Sequence, residues 1–301
     1  MLYVYPIKTY PRVEDDFKGL LRMSSVATGM SQRNTSDDKP NEDVFAIRSD
    51  NERTILVLAD GVTRSRRADG TYPIPSGGLL AARVVAQTLV AALVNAEHLQ
   101  AMYRAFHLAN DAVAQLNTSH NVWGNLDYEE HDLYGAVATA AVIHDNRLLW
   151  AHIGDTVLLK GRDSHLCQLT RDHVQEAMEF LQQLTPAELA GKSREYYSRA
   201  RLRNHPELPV SYGVLTGEKA ALDYVEAGED GVMVGDVYLL CSDAMTCLRS
   251  RGGGWSAAEQ LLTGVPFLEW PSVLIAAAGK REVEAQLRAD DKTVIVAGII
   301  T

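Results

Sequence analysis

The sequence predicts an α+β layered domain, and three observations carry that prediction. Strand-length apolar runs come in groups (43–49 with 54–60, then 134–144, 147–154 and 156–161). Two helical patterns, 77–96 and 98–116, stand side by side between those groups. No flexible linker, low-complexity tract or fixed-period repeat divides the chain. Strands that follow strands and helices that follow helices argue for layers within one domain, against a βαβ alternation.

Taken in order, residues 1–40 end in the polar run GMSQRNTSDDKP, and Pro40 disfavours helix at Lys39, so the segment reads as a lead-in loop with organised structure from Asn41. DVFAIRS (43–49) alternates like a half-buried strand, Asn51-Glu52 supplies a turn, and TILVLAD (54–60) is rich in strand formers, which makes a hairpin. GGLLAARVVAQTLVAALVNA (77–96) and HLQAMYRAFHLANDAVAQL (98–116) repeat apolar residues at three and four positions, the mark of two long amphipathic helices. A loop through NVWGNLDYEEHD leads to YGAVATAAVIH, RLLWAHIG and TVLLKG, three strands separated by Asp-Asn and Gly-Asp turns.

Residues 174–210 differ in kind. They are polar, lean to helix in VQEAMEFLQQL and in TPAELA with Thr185 as cap, and turn basic in SREYYSRARLR. They read as an insertion. Strand signals return at ALDYVEAG (221–228) and DVYLLCS (236–242), helical spacing at 271–289, and a last strand at TVIVAGII (293–300).

Composition bounds the function. A chain of 301 residues, 46% hydrophobic, can bury a large core. Its 39 acids against 29 bases give a formal charge of -10, which repels nucleic acid and anionic membrane alike. The amino terminus lacks the pattern of a secretory signal, and no stretch supplies the roughly 18 uninterrupted apolar residues of a span. Cys167, Cys241 and Cys247 have no zinc-type spacing and are read as reduced core or near-core thiols of a cytoplasmic protein.

Acids gather where strands end. Asp60 closes ILVLAD, Asp155 follows LLWAHIG, Asp243 closes VYLLCSD, and Asp290 with Asp291 precedes TVIVAGII. Asp-Gly and Gly-Asp are also ordinary turn dipeptides. Carboxylates collected at the rim of an apolar core would repel one another unless a cation compensated them, and without His or Cys ligands that cation is hard: magnesium or manganese.

NED (41–43), ADG (59–61), GAVATAAV (135–142), AHIGDTVLL (151–159), QLTRDH (168–173), GDVYLLCSDAM (235–245) and DDKTVIV (290–296) occur in the order of the motifs of metal-dependent Ser/Thr protein phosphatases. Over about residues 24–301 the sequence resembles the bacterial PPM family. The resemblance implies a four-layer α/β/β/α sandwich, two stacked antiparallel sheets flanked by helices, as a single domain with 1–23 as lead-in and a variable flap over about 174–230. It implies two Mg2+ or Mn2+ ions and a weaker third. Asp60 would bridge the pair, the Gly61 carbonyl would join one metal, Asp243 and Asp290 would complete the other, and Asp155 with Asp243 would form the third site. Glu42 and Asp43 would hold metal waters from behind. A hydroxide bridging the metals would attack phosphorus in line, and phosphoserine or phosphothreonine on a protein, set there by a Ser/Thr kinase, would be the substrate.

The sequence also departs from the family. Val62 stands where many relatives have His, Ala244 replaces the Gly of SDG, and Val157 replaces the Arg of GDSR. If that Gly position needs positive φ, Ala244 strains the backbone that carries Asp243. Arg33, upstream of NED, is the candidate for holding the substrate phosphate, and RSRR (64–67) for attracting a phosphopeptide. Two other functions share the same acids: a weakly active phosphatase-like module that binds phosphoprotein or a partner, and a phosphoesterase for small molecules. His152 and His173 are assigned to structure.

Overall fold

The computed structural model describes residues 23–67, 69–250 and 253–301, so the lead-in over 1–23 lies outside the described residues except for Met23. The strands are Ser24–Gln32 (β1), Asp43–Ser49 (β2), Arg53–Gly61 (β3), Ala136–His144 (β4), Arg147–Ile153 (β5), Val157–Arg162 (β6), His165–Gln168 (β7), Glu226–Gly231 (β8), Val237–Cys241 (β9) and Lys292–Ile300 (β10). The helices are Gly77–Ala92 (α1), Leu99–Ser119 (α2), Gln175–Gln183 (α3), Arg194–Tyr197 (α4), Ser256–Leu262 (α5) and Trp270–Ala285 (α6).

Two five-stranded antiparallel sheets form, one in the order β1-β10-β9-β6-β7 and the other β2-β3-β4-β5-β8. Period-two alternation gives each sheet two apolar faces to cover. Leu56, Leu58, Ala141 and Leu148 of the second sheet meet Leu158, Tyr238, Leu240 and Ile295 of the first, which makes the inter-sheet core. On the outer face, Ile55, Val57 and Ala59 pack on Ala82, Val85 and Leu89 of α1 and on Phe106 of α2. Leu159, Leu239 and Val296 pack on Leu262 of α5 and Leu274 and Ile275 of α6. The result is the four-layer α/β/β/α sandwich.

Gly77–Asn95 is long and apolar enough, by length and composition, to cross a membrane. In the fold its apolar face is covered by β3 and α2, and Ala81, Val85 and Leu89 are buried there, as in a core helix. Ser76 caps it by accepting a hydrogen bond from the Leu79 N–H at 3.1 Å.

The chain departs from the sequence reading in several places. Residues 24–32, expected in a lead-in loop, form β1, which pairs with β10 from Ser24↔Ile300 to Gln32↔Lys292. SSVATGMSQ has weak strand propensity of its own, and long-range pairing overrides it. Gly29 sits there because a Cβ would lie 2.7 Å from the Phe45 ring. The edge strand β7 was too short and polar to announce itself. ALDYVEAG divides into a 3₁₀ turn, Lys219–Tyr224, followed by β8. TPAELA makes only one turn, in which the Thr185 N–H donates to the Glu188 carboxylate at 2.8 Å. Cys241 is buried and Cys247 half-buried, whereas Cys167 on the edge strand is exposed, because alternation turns it outward.

Candidate metal centre

Antiparallel register creates the first acid pair. Asp43, the first residue of β2, lies directly opposite Asp60 near the end of β3. Like charges facing across a ladder destabilise it, and here water relieves little of the repulsion. Asp43 is buried at 7% exposure, and its Oδ2 has no hydrogen-bond partner. Burial, with help from Asp243 and Asp291 and against hydrogen bonds from Thr293 and Ser242, pushes the Asp43 carboxyl up to about 7.

The other acids arrive from the opposite sheet. Asp243 follows β9 and opens the 3₁₀ segment Asp243–Leu248, and Asp290 stands two residues before β10. Asp155 sits in the crossover from β5 to β6, which is the passage between sheets. Burial first, then Asp43, Asp243, Asp155 and Asp290 in turn, raise the Asp60 carboxyl well above its ordinary range. Burial and Asp290 raise Asp243 to about 6. Burial, Asp243 and Asp172 raise Asp155 strongly. Thus Asp43, Asp60, Asp155, Asp243 and Asp290, read separately from five points of the sequence, share one electrostatic environment. Among the described residues no three His, Cys, Asp or Glu side chains form a finished cation cage; the acids are gathered without being closed on one point. The orphaned Asp43 oxygen, with Asp60 opposite and Asp243 acting on both, fits a hard divalent cation, since all these donors are oxygen.

Glycines shape the rim. A Cβ on Gly61 would come within 2.4 Å of the Gly78 backbone, so the strand end that carries Asp60 can abut the first turn of α1 only as glycine. Gly154, before Asp155, has φ +98° and would drive a Cβ to 2.2 Å from Val137; only glycine suits both demands. Ala244, by contrast, is not among the residues of positive φ. It lies inside the 3₁₀ segment and carries none of the strain expected of it, because the chain after Asp243 turns right-handed.

Glu42 is buried at 1% exposure beneath this rim. Its carboxylate accepts from Tyr72 Oη at 2.7 Å, Thr63 Oγ1 at 2.8 Å and Ser76 Oγ. Burial raises its pKa while those hydroxyls oppose the rise. Lys39, expected only as a loop residue before Pro40, is buried among the same acids. Its Nζ donates to Asp290 Oδ1 at 2.8 Å and lies 3.5 Å from Asp291 Oδ2 and 3.7 Å from Glu42 Oε2. Burial opposes its charge, but the acids outweigh burial and hold the ammonium protonated.

The two adjacent acids before β10 separate cleanly. Asp291 accepts the backbone N–H of Asn34 at 2.7 Å and of Glu42 at 2.9 Å, so both its oxygens are spent on tying the NED segment to β10. Asp290 is the more exposed of the two, its side chain 38% exposed, and its Oδ1 accepts from Lys39 and from the Asp291 N–H.

The candidate recognition residues fare differently. Arg33 is exposed and donates to the Asp37 carbonyl. Arg66 pairs with Asp38 at 2.6 Å, while Arg64 and Arg67 line a cavity of about 390 Å³ with Asp69, Pro73, Glu130 and His131. Within the basic run of the insertion, Arg199 and Arg203 are buried and engaged, and Arg194, though exposed, is tied to backbone. Arg203 makes a bidentate pair with Asp132 at 2.8 and 2.9 Å, Arg199 joins the same carboxylate at 3.2 Å, and Arg194 donates to the Leu181 and Leu184 carbonyls. Val62 packs against the apolar cluster of Val137, Leu181, Leu202 and Tyr212 beneath the insertion. His152 is wholly buried; its Nε2 donates to the Gly154 and Arg171 carbonyls, so Nδ1 accepts from Thr139 Oγ1 at 2.8 Å. His173 approaches Glu226 at 3.1 Å. Both histidines brace the loop that holds Asp155. Sequence reasoning missed Lys39, Asp172 and the hydroxyls of Thr63, Tyr72 and Ser76; of these, Asp172 lay within the motif QLTRDH and Ser76 carried a signal as a helix cap.

Two antiparallel sheets stacked face to face, with acids of both meeting at one end, form the four-layer architecture that the sequence resemblance implied. The chain belongs to the protein phosphatase 2C family, whose model matches residues 30–207. The serine/threonine protein phosphatase PstP of Mycobacterium tuberculosis is 27% identical over 273 residues, an alignment that covers 84% of this chain and 43% of that protein. The chain therefore spans less than half the length of the curated relative it matches. The crystal structure of the catalytic domain of PstP in complex with two manganese ions superposes with a TM-score of 0.64 at 22% identity, over 93% of this chain and 100% of that one. The serine/threonine phosphatase of S. agalactiae gives 0.62 at 18% identity, over 92% and 100%. At these identities the likeness to the solved structures carries the fold.

Proposed function

We propose that this chain is a Mg2+- or Mn2+-dependent protein phosphatase that hydrolyses phosphoserine and phosphothreonine on proteins, in the cytoplasm, opposing a Ser/Thr kinase. The observation that carries the reading is the buried Asp43–Asp60 pair with its orphaned oxygen, joined by Asp243 and Asp290 from the other sheet, in a family whose relative binds two manganese ions. Asp60, the Gly61 carbonyl, Asp243 and Asp290 would hold the two ions, and Asp155 with Asp243 would hold a weaker third. When bound, such ions lower the pKa of a water and neutralise phosphate oxygens, so that attack on phosphorus can proceed in line.

This chain's own residues supply the rest. Glu42 and Asp43 orient water from behind the metals, Glu42 fixed in that duty by the hydroxyls of Tyr72, Thr63 and Ser76. Arg64 and Arg67 offer positive charge to a phosphopeptide at the edge of the same loop. Val62 lends no proton to the leaving alkoxide, since it is an apolar anchor of the insertion. That feature favours a second reading, a weakly active module that binds phosphoprotein.

A chromogenic phosphoester and a phosphothreonine peptide, each with manganese and with chelator, separate these readings. Asp60→Asn is expected to lower manganese-dependent turnover at least about 100-fold, a loss typical of damage at a metal centre. Turnover no higher than that of Asp60→Asn would remove the enzyme reading and leave the binding module. Cleavage of the small ester alone would point to a small-molecule phosphoesterase.

A further inference from the structure

We propose that Lys39 is a tethered counter-cation of the metal centre, whose ammonium occupies the Asp290 side of the acid cluster and must be displaced before the ion held by Asp290 can bind. The inference rests on the metal reading above. Its evidence is the placement of the ammonium: 2.8 Å from Asp290 Oδ1, 3.5 Å from Asp291 Oδ2, 3.7 Å from Glu42 Oε2 and 3.2 Å from Thr63 Oγ1, almost wholly buried. A buried lysine hydrogen-bonded to Asp290 and Thr63 and paired in charge with Asp291 and Glu42 is a cation site already filled by the protein.

The arrangement is asymmetric. Asp291 and Glu42 are engaged by backbone N–H groups and hydroxyls respectively, so they remain in place whether or not Lys39 is there. Asp290 is different, because its side chain reaches solvent and Lys39 is the charge that holds it. Asp43 Oδ2, by contrast, has no hydrogen-bond partner. A divalent ion arriving at the Asp43–Asp60 pair displaces nothing, whereas an ion that takes Asp290 competes with a positive charge on a short leash. The effective concentration of an intramolecular competitor is high, so two ions that would otherwise bind alike should bind unequally, the one near Asp60 first.

Manganese bound by the full chain is to be counted by equilibrium dialysis with elemental analysis, for wild type, Lys39→Met and Lys39→Arg. Wild type is expected to bind one ion tightly and a second at least tenfold more weakly. Lys39→Met should tighten the second ion at least tenfold while lowering the melting temperature of the metal-free protein, and Lys39→Arg, which keeps the charge, should stay close to wild type. A second measurement needs no variant: in wild type carrying 15N-lysine, the slowly exchanging Lys39 ammonium signal should persist through the first equivalent of Mg2+ and be lost or shifted with the second. Two unequal ions whose affinities Lys39→Met leaves unchanged, or an ammonium signal unaltered at saturation, would overturn the role of Lys39 and leave the metal reading standing. No manganese bound by any of the three proteins would overturn both.

Discussion

His152 is held neutral by its position. Burial, then the neighbouring His173, lowers its pKa from 6.5 to about 3, and its two ring nitrogens are already committed to Thr139 and to the Gly154 and Arg171 carbonyls. The unfolded chain takes up a proton below about pH 6.5 that the native state refuses, so this histidine removes stability as pH falls, by about 1.4 kcal/mol per pH unit. Urea denaturation at pH 6.5 and pH 5 should therefore show wild type losing about 2 kcal/mol more than His152→Asn over that interval. Comparing the two slopes cancels the contribution of the acid cluster, which both proteins share; equal slopes would mean that the ring is protonated in the fold. The same residues show what sequence can reveal. Asp60, Asp155, Asp243 and Asp290 were legible because an acid at the end of an apolar run is conspicuous. Lys39 was not, since a lysine in a polar segment carries no sign that the segment folds inward, and the resemblance that chose Asp290 over Asp291 gave no hint of the backbone N–H groups that Asp291 binds.

The insertion after Asp172 shows how an element is fixed by charge as well as by apolar burial. Asp172 caps it, accepting the N–H groups of Val174 and Gln175, and its Leu181 and Leu202 pack with Tyr212 on Val62 and Val137. Asp132 compensates both Arg199 and Arg203, and Arg199 also donates to Ser65, to the Tyr128 and Glu129 carbonyls and, at 3.5 Å, to the Thr63 carbonyl. Thus the insertion is clamped to the loop that follows Asp60-Gly61. Asp132→Ala removes the main counter-charge of two buried guanidinium groups, leaving Arg203 only Glu218 at 4.0 Å, and should cost about 3–5 kcal/mol, read as a shift of the urea midpoint. Arg199→Met, which leaves Arg203 and Asp132 paired, should cost less yet speed proteolytic cleavage within 174–210. Unchanged cleavage would show that Arg199 is dispensable to the clamp. The long helices α1 and α2 and the hairpin β2–β3 were legible as elements, because periodicity alone identifies them. The strand β1 and the edge strand β7 were not, because their identity comes from pairing with β10 and β6, and pairing is a property of distant sequence.

At the scale of the whole molecule, the acids matter because they come from both sheets. Asp43 and Asp60 belong to the sheet β2-β3-β4-β5-β8, whereas Asp243 and Asp290 flank strands of β1-β10-β9-β6-β7. Apolar packing such as Leu56 and Leu58 against Leu240 and Ile295 holds the sheets together, while at the acid end the same contact brings negative charges into opposition. Cations placed there would reverse the sign of that end, turning a repulsion between sheets into a joint. Ligand that binds only the folded chain stabilises it by RT ln(1 + [L]/Kd), about 2.7 kcal/mol at one hundred times Kd. The melting temperature should therefore climb steadily with the logarithm of manganese concentration once the site fills. Asp60→Asn and Asp243→Asn, although they lie on different sheets, should each flatten that climb, and each should raise the melting temperature of the metal-free protein by removing one of the opposed charges. Hydrogen exchange should slow on manganese addition at the ends of β3 and β9 together. If protection were confined to one sheet, or if only one of the two variants lost its response to manganese, the ions would be held within a single sheet and the acid end would not be a joint between them.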